Sequence, residues 1–153
     1  MRSSVADGDL AALIEEAVTD KIEKLESKRY GKTKNPRKGL EDTDTTTSSR
    51  YLPAPIRRAV VERDQHRCTF VDESGRRCNE TEWLEFHHVE PYGLGGDRSL
   101  DNIYLVCRTH NLYLAECDYG KELMERYRNS GGRVSETTAV YTFSNRATPT
   151  HWV

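Results

Sequence analysis

Early in the chain, apolar residues recur at three- and four-residue steps: Leu10, Leu13, Ile14, Ala17, Val18, Ile22 and Leu25. That period predicts an amphipathic helix over residues 9–29, with Asp9 able to cap its amino end. One helix cannot bury its own stripe, so either the rest of the chain or a second copy must cover it. Residues 40–49, LEDTDTTTSS, hold no apolar side chain beyond Leu40 and read as a flexible acidic linker. Pro53 and Pro55 open a short helix over 56–64, with Pro55 suited to its first turn. A strand is predicted over 83–89. The run Pro91-Tyr92-Gly93-Leu94-Gly95-Gly96 is then a loop, and 103–106 a second, apolar strand. Thr109 can cap a helix that runs towards Tyr119, with Gly120 placed to end or bend it. Leu123, Met124 and Tyr127 suggest further helical turns, stopped at Gly131-Gly132, and Val140-Tyr141-Thr142-Phe143 is β-prone. The expected class is α+β. Residues 1–49 would form a helix, a basic segment and the linker, 50–128 the main domain, and 129–153 a tail with one β-strand.

Charge changes this picture locally. Lys and Arg total 23 against 25 Asp and Glu, a net charge of -2, which excludes a uniformly basic nucleic-acid coat but not a basic face. Residues 21–39 carry eight Lys or Arg against two Glu, and residues 50–77 seven Arg against four acids. Guanidinium forks match phosphate oxygens, so Arg57, Arg58, Arg63, Arg67 and Arg98 are candidate DNA contacts, beside the null of a solvated surface. No apolar run approaches the roughly 18 residues of a membrane-spanning helix. The start lacks the basic patch and apolar stretch of a secretory signal, so a cytoplasmic protein without a membrane partner is expected.

Cys68, Cys78, Cys107 and Cys117 fall in a stretch that also holds His66, His87, His88 and His110. Without an export signal this favours metal over disulfides. Structural zinc takes four soft or borderline ligands, usually as two close pairs. Cys107-Arg108-Thr109-His110 supplies one pair, leaving a strand and entering a helix, and Cys68 with Cys78 the other across a turn-rich loop. A rival set replaces His110 with Cys117, which lies further down the helix and is the poorer partner. A zinc staple would hold together a polar domain with little core. A second group comprises His87-His88, Asn102 and His110-Asn111. Cleaving a phosphodiester needs an activated water, a cation on the phosphate and help for the leaving oxygen. Histidine can take the water's proton near neutral pH, and a second histidine with a side-chain oxygen could hold a divalent cation. Adjacent strand residues face opposite ways, so the two histidines share a centre only if the strand ends or bends there.

The segment Trp83-Leu84-Glu85-Phe86-His87-His88-Val89-Glu90-Pro91, the Gly95-Gly96 loop, Ser99-Leu100-Asp101-Asn102-Ile103 and Cys107-Arg108-Thr109-His110-Asn111 together resemble the HNH endonuclease family over about residues 51–120. The resemblance implies a small ββα-metal finger with a structural zinc knuckle, preceded here by the amphipathic helix. It implies a hydrolase that cuts DNA with a divalent cation, Mg²⁺ or Mn²⁺, leaving a 5′-phosphate and a 3′-hydroxyl. By position His88 would be the general base and His87 a cation ligand, and Asn102 would brace the loop. His110 stands where the family has the second Cys of a Cys-x-x-Cys pair, so it would ligate zinc. Asn111 then occupies the last His position as the second cation ligand, a His-Asn-Asn variant. A further assignment puts His110 on the catalytic cation and Cys117 on zinc. Two other readings compete with the nuclease. One is a zinc-stapled DNA- or protein-binding module without catalysis. The other is an interaction protein whose amino-terminal helix recruits a partner or forms a homodimer.

Overall fold

The computed structural model describes residues 9–36, 39–47 and 49–130. The β-prone patch at 140–143, the Gly131-Gly132 stop, Arg37 and Lys38 of the basic segment and Ser48 of the linker lie outside the described residues. The fold is α+β: α1 (Leu10–Tyr30), α2 (Ala54–Arg63), β1 (Leu84–His88), β2 (Ile103–Cys107), α3 (Arg108–Tyr119) and α4 (Lys121–Asn129). Among the described residues no helix is long and apolar enough to cross a membrane.

Helix α1 starts as its sequence predicts, the Asp9 carboxylate accepting from the Ala12 N–H at 3.0 Å. It stops at Gly31, which takes the left-handed conformation (φ 71) and donates its N–H to the Ser27 carbonyl. Gly31 also lies against Ala54, where a Cβ would meet the Ala54 backbone at 3.0 Å, so both conformation and space demand glycine. Among the described residues the last turn of α1 is what docks on the main domain. Arg57 donates to the Lys28 and Arg29 carbonyls at 2.6 and 3.0 Å, and Arg58 to the Gly31 carbonyl at 3.0 Å. Arg29 reaches the Leu84 carbonyl, and Tyr30 packs edge-on against His66 and Phe86. Leu10, Leu13, Ile14, Val18, Ile22 and Leu25 remain exposed among the described residues.

The core is small. Ile56 and Val60 of α2 pack on Leu84, Ile103, Leu105, Val106, Cys68, Cys107 and Leu114. β1 and β2 pair antiparallel, Leu84 opposite Cys107 and His88 opposite Ile103. The outer edge of β2 is closed by Asp64 and Thr69. Buried Asp64 accepts from the Leu105 N–H at 2.8 Å, and Thr69 donates to the Leu105 carbonyl through its N–H and its hydroxyl, each at 2.9 Å. Arg63 completes the Asp64 carboxylate and continues to the Leu100 and Ile103 carbonyls. Asp64→Ala leaves a buried amide and an arginine without their acceptor, so we expect a loss of about 3 kcal/mol in denaturant unfolding. A loss below about 0.5 kcal/mol would mean that water replaces the carboxylate.

Three expectations change. Thr109 is not the cap of α3. β2 pairs through Cys107, the chain turns at once, and Cys107 itself is the N-cap with extended dihedrals. β1 likewise begins at Leu84, because Trp83 adopts a left-handed φ of 50 and its carbonyl accepts from the Arg108 N–H. The described part of the polar 40–49 segment is also bonded to the main domain rather than free. The Thr45 carbonyl accepts from the Arg98 N–H at 2.9 Å, Thr46 from Arg98 Nε at 2.7 Å and Thr47 from the Tyr92 hydroxyl at 2.9 Å.

Candidate metal centre and histidine pair

After α2, Gln65 and His66 both take positive φ (59 and 52), a tight reversal that swings Cys68 inward. The chain runs out and back through a narrow turn, Val71 bridging Arg77, with the Asp72 carboxylate accepting from the N–H groups of Ser74 and Arg76. Hydrogen bonds from Ser74 and Arg76 hold the Asp72 carboxyl down at about 2. The returning arm places Cys78, whose N–H donates to the Phe70 carbonyl at 2.8 Å. The third and fourth members come from the end of β2 and the first turn of α3, Cys107 and His110.

The four ligand atoms of Cys68, Cys78, Cys107 and His110 lie within 4.8 Å of one another. His110 Nδ1 is 3.4 Å from Cys68 Sγ and 3.2 Å from Cys107 Sγ. A tetrahedral ion with bonds of about 2.0–2.3 Å needs ligands about 3.5–3.8 Å apart, so these residues could hold a metal ion after small adjustments. Phe70 stacks on the His110 ring at 3.9 Å and 10°, which aims Nδ1 at the sulfurs. Burial pushes the Cys68 thiol up to about 12 and favours neutral His110. An ion would reverse the first effect, because only a thiolate ligates, and it needs the second. Cys117 is exposed on α3 outside this cluster, next to Tyr113. The fold thus assembles the set containing His110, and both assignments that used Cys117 are corrected.

Alternation along β1 puts Glu85 and His87 on the face towards α3. His87 is 8% exposed, and its Nδ1 lies 3.0 Å from Asn111 Oδ1, while Asn111 Nδ2 donates to Glu85 Oε2 at 2.6 Å. On the other ring edge, His87 Nε2 is 3.9 Å from Asp118 Oδ2. His88 meets a different element, lying edge-on to Tyr92 with centroids 6.5 Å apart and with Asp97 and Arg50 nearby. Its Nε2 is buried without a hydrogen-bond partner among the described residues. Burial lowers both imidazoles, the Asn111 hydrogen bond opposing it at His87 and Asp97 opposing it at His88. Both rings are therefore neutral at ordinary pH, the form in which an imidazole can take a proton or bind a cation.

Asn102 holds the loop that follows. Its Oδ1 accepts from the Glu90 N–H at 2.7 Å, and its Nδ2 donates to the Glu90 and Asp97 carbonyls at 3.1 and 2.8 Å. Gly96 presses on the Glu90 carbonyl so closely that any Cβ would overlap it.

The five arginines read from charge as DNA contacts all bind carbonyls of the chain itself. Arg57 and Arg58 hold the end of α1, and Arg63 spans Leu100 and Ile103. Arg67 reaches the Cys78 carbonyl at 2.9 Å, and buried Arg98 reaches Thr46 and Tyr51. Residues that sequence reasoning passed over are Glu85, Asp118 and Asp97, whereas Arg50, counted in the arginine-rich stretch 50–77, has its guanidinium 5.4 Å over the Tyr92 ring. Two of these had a signal: Glu85 precedes His87 by one alternation, and Asp118 follows Asn111 by two helical turns. A scan against protein-family models and a search of curated proteins find no match to this chain.

Proposed function

We propose that this chain is a metal-dependent DNA endonuclease of the HNH kind, its strand–loop–strand–helix unit being a ββα-metal finger stapled by zinc. The observation that carries the reading is the hydrogen-bonded contact of His87 on β1 with Asn111 on α3, beside a second neutral histidine at the strand end. A staple built from Cys68, Cys78, Cys107 and His110 requires neither histidine. The three sulfurs and one imidazole suit zinc, a borderline-soft ion that prefers four ligands.

His88 is the general base and takes a proton from the attacking water. The Asn102-braced loop keeps that imidazole in place through Tyr92 and Asp97. Arg50, over Tyr92, stands beside His88 where a phosphate oxygen must come. A divalent cation in the His87 region would supply positive charge to the phosphate and the leaving oxygen. The five earlier candidates are bonded within the fold, and the exposed Arg108 at the start of α3 is a further candidate for phosphate contact.

The test is a supercoiled-plasmid assay of zinc-loaded protein with Mg²⁺, Mn²⁺ or EDTA. Nicking that needs the cation is the expected result. Protein that retards DNA on a gel but cuts under no condition would leave the zinc-stapled binding module in its place.

A further inference from the structure

Helix α1 meets the main domain with one face and leaves the other bare. Towards its end Glu26 and Tyr30 are the half-buried residues, and Tyr30 packs on His66 and Phe86. At 3.6 residues per turn, the apolar stripe from Leu10 to Leu25 is centred on roughly the opposite side of the helix from Tyr30. The described part of the main domain does not cover it, and its large side chains are exposed, from 40% at Leu13 to 68% at Leu10.

The stripe is symmetric about its own middle. Counted outwards from the Ala17–Val18 bond, Leu13 mirrors Ile22 and Leu10 mirrors Leu25. A helix so patterned is complementary to a second copy of itself running the opposite way, Leu10 on Leu25, Leu13 on Ile22 and Ala17 on Val18. Ile14 then falls against the stem of Lys21, whose ammonium reaches past it to water. Small Ala17 lets the helices approach closely at the crossing. Charge fits the same direction. Residues 9–20 carry Asp9, Glu15, Glu16 and Asp20 and no Lys or Arg, whereas 21–30 carry Lys21, Lys24, Lys28 and Arg29 against Glu23 and Glu26. Antiparallel pairing lays the acidic half of one helix on the basic half of the other, and parallel pairing would lay acid on acid. In the antiparallel register Glu15 comes beside Lys21 of the second copy.

We propose that α1 is the interface of a homodimer, two copies pairing antiparallel about the Ala17–Val18 bond. The main domains, bonded to the Lys28, Arg29 and Gly31 carbonyls, then sit at opposite ends of the helix pair and do not compete for space. The proposal does not depend on the nuclease reading.

Sedimentation equilibrium of the full chain, from about 1 to 500 µM, tests this. One helix pair lies at the low end of specific interface sizes, so a reversible dimer of twice the 17.6 kDa chain mass, forming at micromolar concentration, is expected. Leu13→Glu with Ile22→Glu puts charge into the apolar seam and is expected to leave monomer throughout that range. Circular dichroism and thermal unfolding accompany each variant. Orientation is read from charge: Glu15→Lys and Lys21→Glu should each weaken the dimer by about 10-fold, and the two together should restore it. These residues are six apart and do not meet within one helix, so the rescue reports contact between copies. Should the seam variant lose helix, the charge exchange alone decides. A wild type that stays at 17.6 kDa at the highest concentration overturns the proposal and leaves the stripe to residues outside the described range or to a different protein. A dimer that survives the Leu13 and Ile22 changes in a folded chain overturns it too, by placing the interface elsewhere. Tightening by Glu15→Lys alone would mean that acid faces acid, and the antiparallel register would be wrong.

Discussion

His88→Ala is expected to lower cation-dependent plasmid nicking by about 10²–10⁴-fold, the usual contribution of a positioned general base. Zinc content and the unfolding transition should remain those of wild type. The side chain is only part-buried at the end of β1, and the contacts that hold the loop belong to the Asn102 amide and not to the imidazole. The pH profile adds a second check. Burial lowers the His88 pKa, so the neutral base persists below the ordinary histidine range and nicking should fall only on its acid side. The same depression means that protonating His88 destabilises the fold, so stability is full above the unfolded pKa and falls as pH drops through the folded one. If His88→Ala cuts as fast as wild type, another group takes the proton and the assignment of the base is wrong.

Loss of the metal centre should cost more than any other single change. Cys68 has no exposed surface, lies in the core cluster and shares His110 Nδ1 with Cys107. Structural zinc contributes about 10–16 kcal/mol of binding free energy at neutral pH in small zinc domains. That exceeds the roughly 5–15 kcal/mol by which whole domains are stable. Chelation, or Cys68→Ser, is therefore expected to abolish cooperative thermal unfolding of the unit around β1, β2 and α3. A Cys68→Ser protein with an unchanged melting temperature and a full equivalent of zinc would refute the ligand set. Cys117→Ser should by contrast leave both quantities unchanged, since that thiol is exposed outside the cluster.

What the sequence made legible is what repeats or what is chemically rare. The three- and four-residue apolar period located α1 to within one residue at either end, and Asp9 and Gly120 lie at the ends expected of them. Cysteines and histidines are few, so Cys68, Cys78 and the Cys107–His110 pair could be grouped from spacing before any coordinates. Backbone carbonyls give no such signal, because every residue has one. An excess of arginine over acids therefore says nothing about whether a guanidinium meets a phosphate or a peptide oxygen, and here Arg57, Arg58, Arg63, Arg67 and Arg98 meet peptide oxygens. The attachment of residues 44–47 was hidden for the same reason, since threonines in a polar run look like solvent-facing linker while their carbonyls do the bonding. Asp118 was passed over because its relevance depends on a distance to His87 across α3, which a periodicity describes only after the helix is placed.

The carbonyls that satisfy buried Arg98 come from Thr46 and Tyr51, and those that satisfy Arg57 and Arg58 come from Lys28, Arg29 and Gly31. The shortest autonomous unit of this chain consequently does not coincide with the stretch that carries the histidines and cysteines. A fragment trimmed to begin at Arg50 would keep every candidate ligand and still leave three guanidiniums short of acceptors, one of them in the interior. The last turn of α1 and the segment that follows it are thus structural parts of the domain that carries the candidate metal ligands, whatever the exposed remainder of that helix serves.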